Sequence, residues 1–181
     1  MKPKGRYNTR LSVRNEIAVR NGSPQEILSH FYPVLQESGQ RNHFAVEPVS
    51  FFIELANTLI PTGLLQLFVA EHEKEILGTL MLITFGTRAT YLYGGIINEK
   101  RNLMAGYALQ WAAIKAAKEA GCTSYDMYGF DQFGAPGNRY SRFSRFKSLF
   151  NGQVVRFIGA HDYFLLDSLA NTVIRAFNEL R

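Results

Sequence analysis

The hydrophobic pattern changes between residues 64 and 119, and that change leaves few architectures open. Leu64–Glu71, Glu75–Phe85 and Arg88–Ile97 are short, largely apolar runs bounded by turn residues, which predicts three strands. His72-Glu73-Lys74 and Gly86-Thr87 supply short turns between them, so the strands form an antiparallel meander. The period then becomes helical. Leu103, Tyr107, Leu109, Trp111, Ile114 and Ala117 predict an amphipathic helix over about residues 100–119, stopped by Gly121.

The flanks complete an α/β pattern. Residues 3–16 predict a helix carrying Arg6, Arg10 and Arg14 at i, i+4 and i+8. Glu16–Arg20 reads as a short strand and Asn21-Gly22 as a turn. Ser23-Pro24-Gln25-Glu26 carries the residues of a capping box, and opens a helix that contains Pro33 and ends near Gly39. A further helix over about 48–60 stops before Pro61-Thr62-Gly63. After the long helix, Thr123–Tyr128 predicts a strand, 130–137 a loop and 138–149 a helix. Two strands, Gly152–Gly159 and His161–Leu166, and a helix over Asp167–Leu180 follow. The expected fold is a single α/β domain over residues 1–181, with helices flanking a twisted mixed sheet.

Charge is unevenly placed. Residues 1–22 hold Lys2, Lys4, Arg6, Arg10, Arg14 and Arg20 against Glu16, a surplus of five that equals the net charge of the whole chain. A second cluster is Arg139, Arg142, Arg145 and Lys147. Both suit anionic partners, and both suit a solvated face. No apolar run reaches bilayer length, and no signal-peptide core follows the basic start. One cysteine, Cys122, excludes an internal disulfide and a multi-cysteine zinc site, and fits a reducing compartment. The four histidines are scattered, so no metal is expected. Asp126, on the strand 123–128, either caps a loop or faces a pocket.

This element order is similar to that of GNAT-type acyltransferases. Acetyl-CoA-dependent members carry a Gln/Arg-x-x-Gly-x-Gly/Ala turn whose backbone N–H groups close on pyrophosphate. Here the corresponding residues are Arg101-Asn102-Leu103-Met104-Ala105-Gly106, with Met104 at the central glycine position. A side chain there obstructs the pyrophosphate, so the fold is expected without the cofactor.

A more specific resemblance lies in Tyr91-Leu-Tyr-Gly-Gly-Ile-Ile-Asn-Glu-Lys-Arg-Asn-Leu-Met-Ala-Gly-Tyr-Ala-Leu-Gln-Trp111. Lys4-Gly5-Arg6-Tyr7-Asn8-Thr9-Arg10-Leu11, Gly121–Asp126, and Arg145-Phe146-Lys147 with Phe150 and Gly152 extend it in order. Together these segments resemble the second GNAT-like domain of the FemABX aminoacyltransferases, which build the interpeptide bridge of peptidoglycan. The resemblance implies a cytoplasmic enzyme, peripheral at the inner membrane face in one reading. Its donor would be aminoacyl-tRNA rather than a bound cofactor, and its acceptor a UDP-linked or lipid-linked muramyl peptide. The family's two-domain arrangement implies a separate first domain or a homodimer.

The resemblance also implies roles. Lys147 would stabilise the oxyanion, and Asp126 would receive or position the attacking ammonium group. Phe146 would shape the pocket beside Lys147, and Arg145 belongs to the same motif. Tyr93, Asn98 and Arg101 would hold phosphate or sugar groups, and Arg6 and Arg10 would meet precursor or tRNA phosphates. The residues alone allow plainer readings: Lys147 as an exposed helical lysine, Phe146 as core, Asn98 as a helix N-cap. Two other functions stay open, an acyl-CoA or acyl-carrier N-acyltransferase and a non-catalytic partner domain.

Overall fold

The computed structural model describes residues 1–131 and 141–159. Five helices, α1 (Pro3–Arg14), α2 (Tyr32–Asn42), α3 (Val49–Leu59), α4 (Ala105–Glu119) and α5 (Ser141–Ser148), surround one sheet. Its strands are β1 (Ala18–Gly22), β2 (Leu65–His72), β3 (Glu75–Phe85), β4 (Arg88–Ile96) and β5 (Ser124–Asp126), in spatial order β1-β2-β3-β4-β5. The first four run antiparallel and β5 lies parallel to β4. The expected twisted mixed sheet with flanking helices is therefore present.

Strand alternation divides the core in two. Phe68, Ala70, Leu80 and Leu82 face α4, where Leu109, Ala113 and Ala117 cover them. Leu67, Val69 and Met81 face the other way, onto Ile27, Phe31, Leu35 and Phe52. Both sheet faces are thus sealed by helices.

Several boundaries differ from the sequence expectation. Glu16 is left-handed (φ 56°), so the strand starts at Ala18 and runs through the expected turn to Gly22. Gly22 permits this: a Cβ there would lie 2.7 Å from the Leu67 side chain. The Ser23 backbone N–H does donate to Glu26, at 2.8 Å, but the helix opens as a π-turn over Ile27–Phe31. That wider turn accommodates Pro33, which has no N–H to give and crowds the preceding turn. α2 then continues to Asn42, beyond Gly39, and ends on left-handed His43.

The helix expected over 100–119 is interrupted. Arg101–Leu103 form a 3₁₀ turn bracketed by left-handed Lys100 and Met104, and α4 begins at Ala105. Asn98 therefore caps no helix. The strand expected at Gly152–Gly159 is also not formed; these residues are exposed and irregular. Of the expected 138–149 helix, the structure describes Ser141–Ser148. The loop at 130–137 falls mostly outside the described residues, and His161–Leu166 and Asp167–Leu180 fall wholly outside them.

Candidate active site

A bulge in β4 opens the sheet where the candidate chemistry collects. Met81 pairs with Tyr93 and Leu82 with Tyr91, leaving Leu92 as the extra residue. Tyr91 therefore packs on the α4 side and Tyr93 on the α2–α3 side, although they are two residues apart. β5 pairs only with Arg88, Ala89 and Thr90, so beyond Thr90 the two strands diverge. The fork between them is filled from α5.

Lys147 occupies this fork. Its side chain is only 8% exposed, and its ammonium donates to the Gly129 carbonyl at 2.7 Å. The same nitrogen lies 5.6 Å from the Tyr91 ring centre, within cation–π range. Burial pulls the Lys147 pKa down to about 8, while the nearby Asp126 carboxylate opposes that shift. Asp126 itself accepts the Tyr128 backbone N–H at 2.7 Å, so it caps a loop and stands beside Lys147 at once. Burial also raises the Tyr91 phenol to about 12 and the Tyr125 phenol further, so both are neutral donors near neutral pH. The plain reading of Lys147 as an exposed helical lysine is thereby overturned.

Next to the fork lies a cleft of about 540 Å³. Among the described residues, four cations line it: Lys4 from α1, Arg41 from α2, Arg101 from the 3₁₀ turn and Arg145 from α5. Tyr91, Tyr107, Phe143 and Phe146 supply aromatic wall. Tyr107 and Phe146 meet edge-on at 4.9 Å, and Phe150 stacks on Tyr107 at 6.0 Å. Phe146 is thus both pocket wall and packed aromatic. Arg41 is fixed by its bond to the Ile96 carbonyl (2.7 Å) and its pairing with Glu37 (3.2 Å). Burial lowers the Arg41 pKa, and the charge of Arg101 pushes it the same way. Two guanidinium groups that repel each other across a cleft are an anion site by electrostatics.

Polar groups complete the lining. Gln110 is buried, and its side-chain oxygen accepts the Tyr125 hydroxyl at 2.8 Å, which orients its amide towards the cleft. Thr79, 1% exposed, lines the same cleft with its hydroxyl unpartnered among the described residues. Gly94 and Gly95 make close packing possible here. A Cβ on Gly95 would stand 2.9 Å from Ser38 Cβ and 3.0 Å from the Val34 carbonyl, both on α2. Gly95→Ala is therefore expected to lower stability by about 1–3 kcal/mol, through overpacking of α2 on β4. Urea unfolding of the variant checks this, and an unchanged midpoint would show that α2 can yield.

Of the sequence-predicted residues, Arg101, Arg145 and Phe146 meet in the cleft, and Lys147 and Asp126 in the adjoining fork. Three groups lie elsewhere. Tyr93 packs edge-on against Phe52 at 5.0 Å on the opposite face, because the bulge reverses its direction. Asn98 is exposed, and its backbone N–H donates to Glu37 at 2.5 Å. Arg6 and Arg10 point outward from α1, whose inward positions are Gly5, Asn8, Thr9 and Ser12. The lining residues Lys4, Asn8, Tyr91, Tyr107 and Gln110 stood in the quoted motifs without a role. Arg41 stood in no motif.

Met104 carries the cofactor question. It keeps the left-handed backbone (φ 67°) that glycine adopts freely, and its side chain lines the cleft at the start of α4. Among the described residues, no group of three His, Cys, Asp or Glu could hold a metal ion, and no helix is long and apolar enough to cross a membrane.

A mixed sheet forked at a β4 bulge, with a cleft at the start of α4, places the chain in the class of GNAT-like acyltransferase folds. Solved acetyltransferases share it, among them a ribosomal-protein-alanine N-acetyltransferase from Brucella melitensis (TM-score 0.57, 12% identity, covering 82% of this chain and 99% of that one). A structure of FemX superposes more closely, with TM-score 0.75 and 17% identity over 82% of this chain and 53% of that chain. Residues 62–172 match the FemAB family, and the chain belongs to that family. A lipid II:glycine glycyltransferase of Staphylococcus saprophyticus is 23% identical over 90% of this chain and 54% of its own length. One from Staphylococcus aureus is 31% identical over 52% of this chain and 23% of its own. At the widest match, the chain spans about half the length of these curated relatives.

Proposed function

We propose that this protein transfers an amino acid from aminoacyl-tRNA to the peptide of a lipid-linked muramyl precursor, extending an interpeptide bridge. The observation that carries this reading is the pairing of a cationic, aromatic cleft with a buried lysine at its side. Phosphodiesters suit Arg41, Arg101, Arg145 and Lys4, and an unstacked base suits the faces of Tyr107 and Phe146. Relatives named for acting on lipid II favour the lipid-linked acceptor over the UDP-linked one.

In this reaction the acceptor amine attacks the ester carbonyl, forming a C–N bond and a tetrahedral oxyanion. The C–O bond to the tRNA then breaks, and the proton lost by the amine ends on the released hydroxyl. Lys147 faces the oxyanion with a fixed positive charge, and Asp126 accepts from the incoming ammonium group. The Gln110 amide and the Thr79 hydroxyl offer further donors to the donor end of the cleft.

We also infer that the chain corresponds to one of the two GNAT-like domains of longer relatives, with the facing wall supplied by a second copy or by a separate domain. The deciding experiment supplies charged tRNAs with lipid-linked and UDP-linked muramyl pentapeptides, and follows the amino acid to the acceptor. Transfer to the lipid-linked acceptor by the wild type, strongly reduced in Lys147→Met, is the expected result. Saturable acetyl-CoA binding would instead favour the N-acyltransferase reading, against the position of the Met104 side chain.

A further inference from the structure

We propose that the outer face of α1, with the exposed edge of α4, docks this protein on an anionic lipid surface. With 100° per residue, Arg6, Tyr7, Arg10 and Arg14 fall within one sector, opposite the buried Gly5, Asn8, Thr9 and Ser12. None of these three arginines forms an ion pair among the described residues, so no described carboxylate neutralises their charge. The Arg14 guanidinium lies over the Tyr7 ring at 5.6 Å, which keeps it beside an aromatic surface.

Apolar side chains share this surface with the cations. Tyr7 is 55% exposed and Val13 71%. α1 packs along α4, whose outward positions include Trp111, 41% exposed, with Lys115 and Lys118. Arginine and lysine among tyrosine, tryptophan and valine suit the headgroup layer, where charge meets phosphate and rings sit at the apolar boundary. A duplex RNA backbone would satisfy the arginines but offers nothing to Val13 or Trp111. The observations therefore favour a lipid surface over a nucleic acid.

The same helix reaches the cleft from its other side, through Lys4 and Asn8. Docking would hold the cleft within about one helix diameter, ~10 Å, of the headgroups. Binding needs no donor, no acceptor and no turnover, so it stands apart from the proposed reaction.

The test is co-sedimentation of the full 181-residue chain with vesicles of phosphatidylcholine alone, or mixed with phosphatidylglycerol. The wild type is expected to pellet with the anionic vesicles only, and progressively less as salt rises. Arg10→Glu/Arg14→Glu should weaken partitioning roughly a hundredfold or more, since each basic residue near such a surface contributes about a factor of five and each reversal shifts the charge by two. Tyr7→Ser/Trp111→Ser should lower the binding that persists at high salt. Circular dichroism confirms that each variant is folded. Lys147→Met should pellet like the wild type, so loss of transfer and loss of docking are read separately. Equal pelleting of the charge-reversed variant would overturn the proposal. So would wild-type binding to tRNA that this variant loses, with no vesicle binding by either protein, or dimerisation that covers this face.

Discussion

Lys147→Met is expected to lower aminoacyl transfer by on the order of 10²–10³-fold, the usual loss when a preorganised donor to an oxyanion is removed. The variant should still fold. Burying the Lys147 charge works against the native state, because the folded pKa of about 8 lies below the unfolded value of 10.5. Between these values the unfolded chain holds the proton and the native chain does not, so stability rises as pH increases from about 8 to 10.5. Below pH 8 the penalty is present in full, at roughly 3 kcal/mol by the pKa difference. Methionine removes it, at the cost of the bond to Gly129, which contributes about 1 kcal/mol. The expected signature is an inactive variant no less stable than wild type at pH 7, without the alkaline gain in stability. Urea unfolding across pH reads this directly.

The same lysine sets the sign of the pH–rate profile. If Lys147 acts as a cation, transfer falls as pH rises through about 8. Lys147→Arg keeps its charge throughout, so whatever activity it retains should lose that alkaline limb. An unchanged limb would assign the titration to another group and remove Lys147 from the oxyanion role.

Charge reversal at Arg101 is the second large expected effect. Arg101 projects into the cleft from a turn set by two left-handed residues and makes no ion pair among the described residues. Arg101→Glu therefore replaces attraction by repulsion beside Arg41 and Arg145, without breaking a structural bond. Binding of a short single-stranded RNA ending in the tRNA acceptor sequence is expected to weaken by roughly a hundredfold. The wild-type log–log salt slope should be about −3 if four phosphates are neutralised, and smaller in the variant. Fluorescence anisotropy at several salt concentrations measures both. Wild-type binding independent of salt would show that these cations hold no phosphodiester.

Arg41 is the less suitable target for that experiment. Its guanidinium holds the Ile96 carbonyl and Glu37, and Glu37 in turn accepts the Asn98 backbone N–H. Loss of Arg41 would loosen the whole β4–α4 connection, and a drop in binding would mix two causes.

The meander was legible as short apolar runs between turn residues, the mark of strands buried on both faces, and the long helix was legible because burial on one face imposes a helical period. Leu67, Val69 and Met81 on one face and Phe68, Leu80 and Leu82 on the other make such runs in two strands. The motif residues Arg145-Phe146-Lys147 could be singled out by resemblance, but nothing local distinguished a buried lysine from a solvated one. Tyr93 packs away from the cleft for an identifiable reason: a single extra residue, Leu92, reverses the alternation, and a bulge has no reliable local signature.

By itself the sequence determined the α/β class, the sheet-forming runs, the basic bias of the first helix and the presence of Met104 where a cofactor turn needs glycine. Tertiary structure alone decided which charges face one another. Gly5 lets α1 approach the end of α5, where a Cβ would stand 2.6 Å from the Leu149 carbonyl, and the Lys2 N–H donates to that same carbonyl at 2.9 Å. Motifs some 140 residues apart in the chain thus become two walls of one cleft. Arg41 joins them from a third element, and Lys147 loses its water only because β4 and β5 diverge beside it. Periodicity reports which side of an element is buried, while the electrostatics of a site depend on distances between elements that no local pattern encodes.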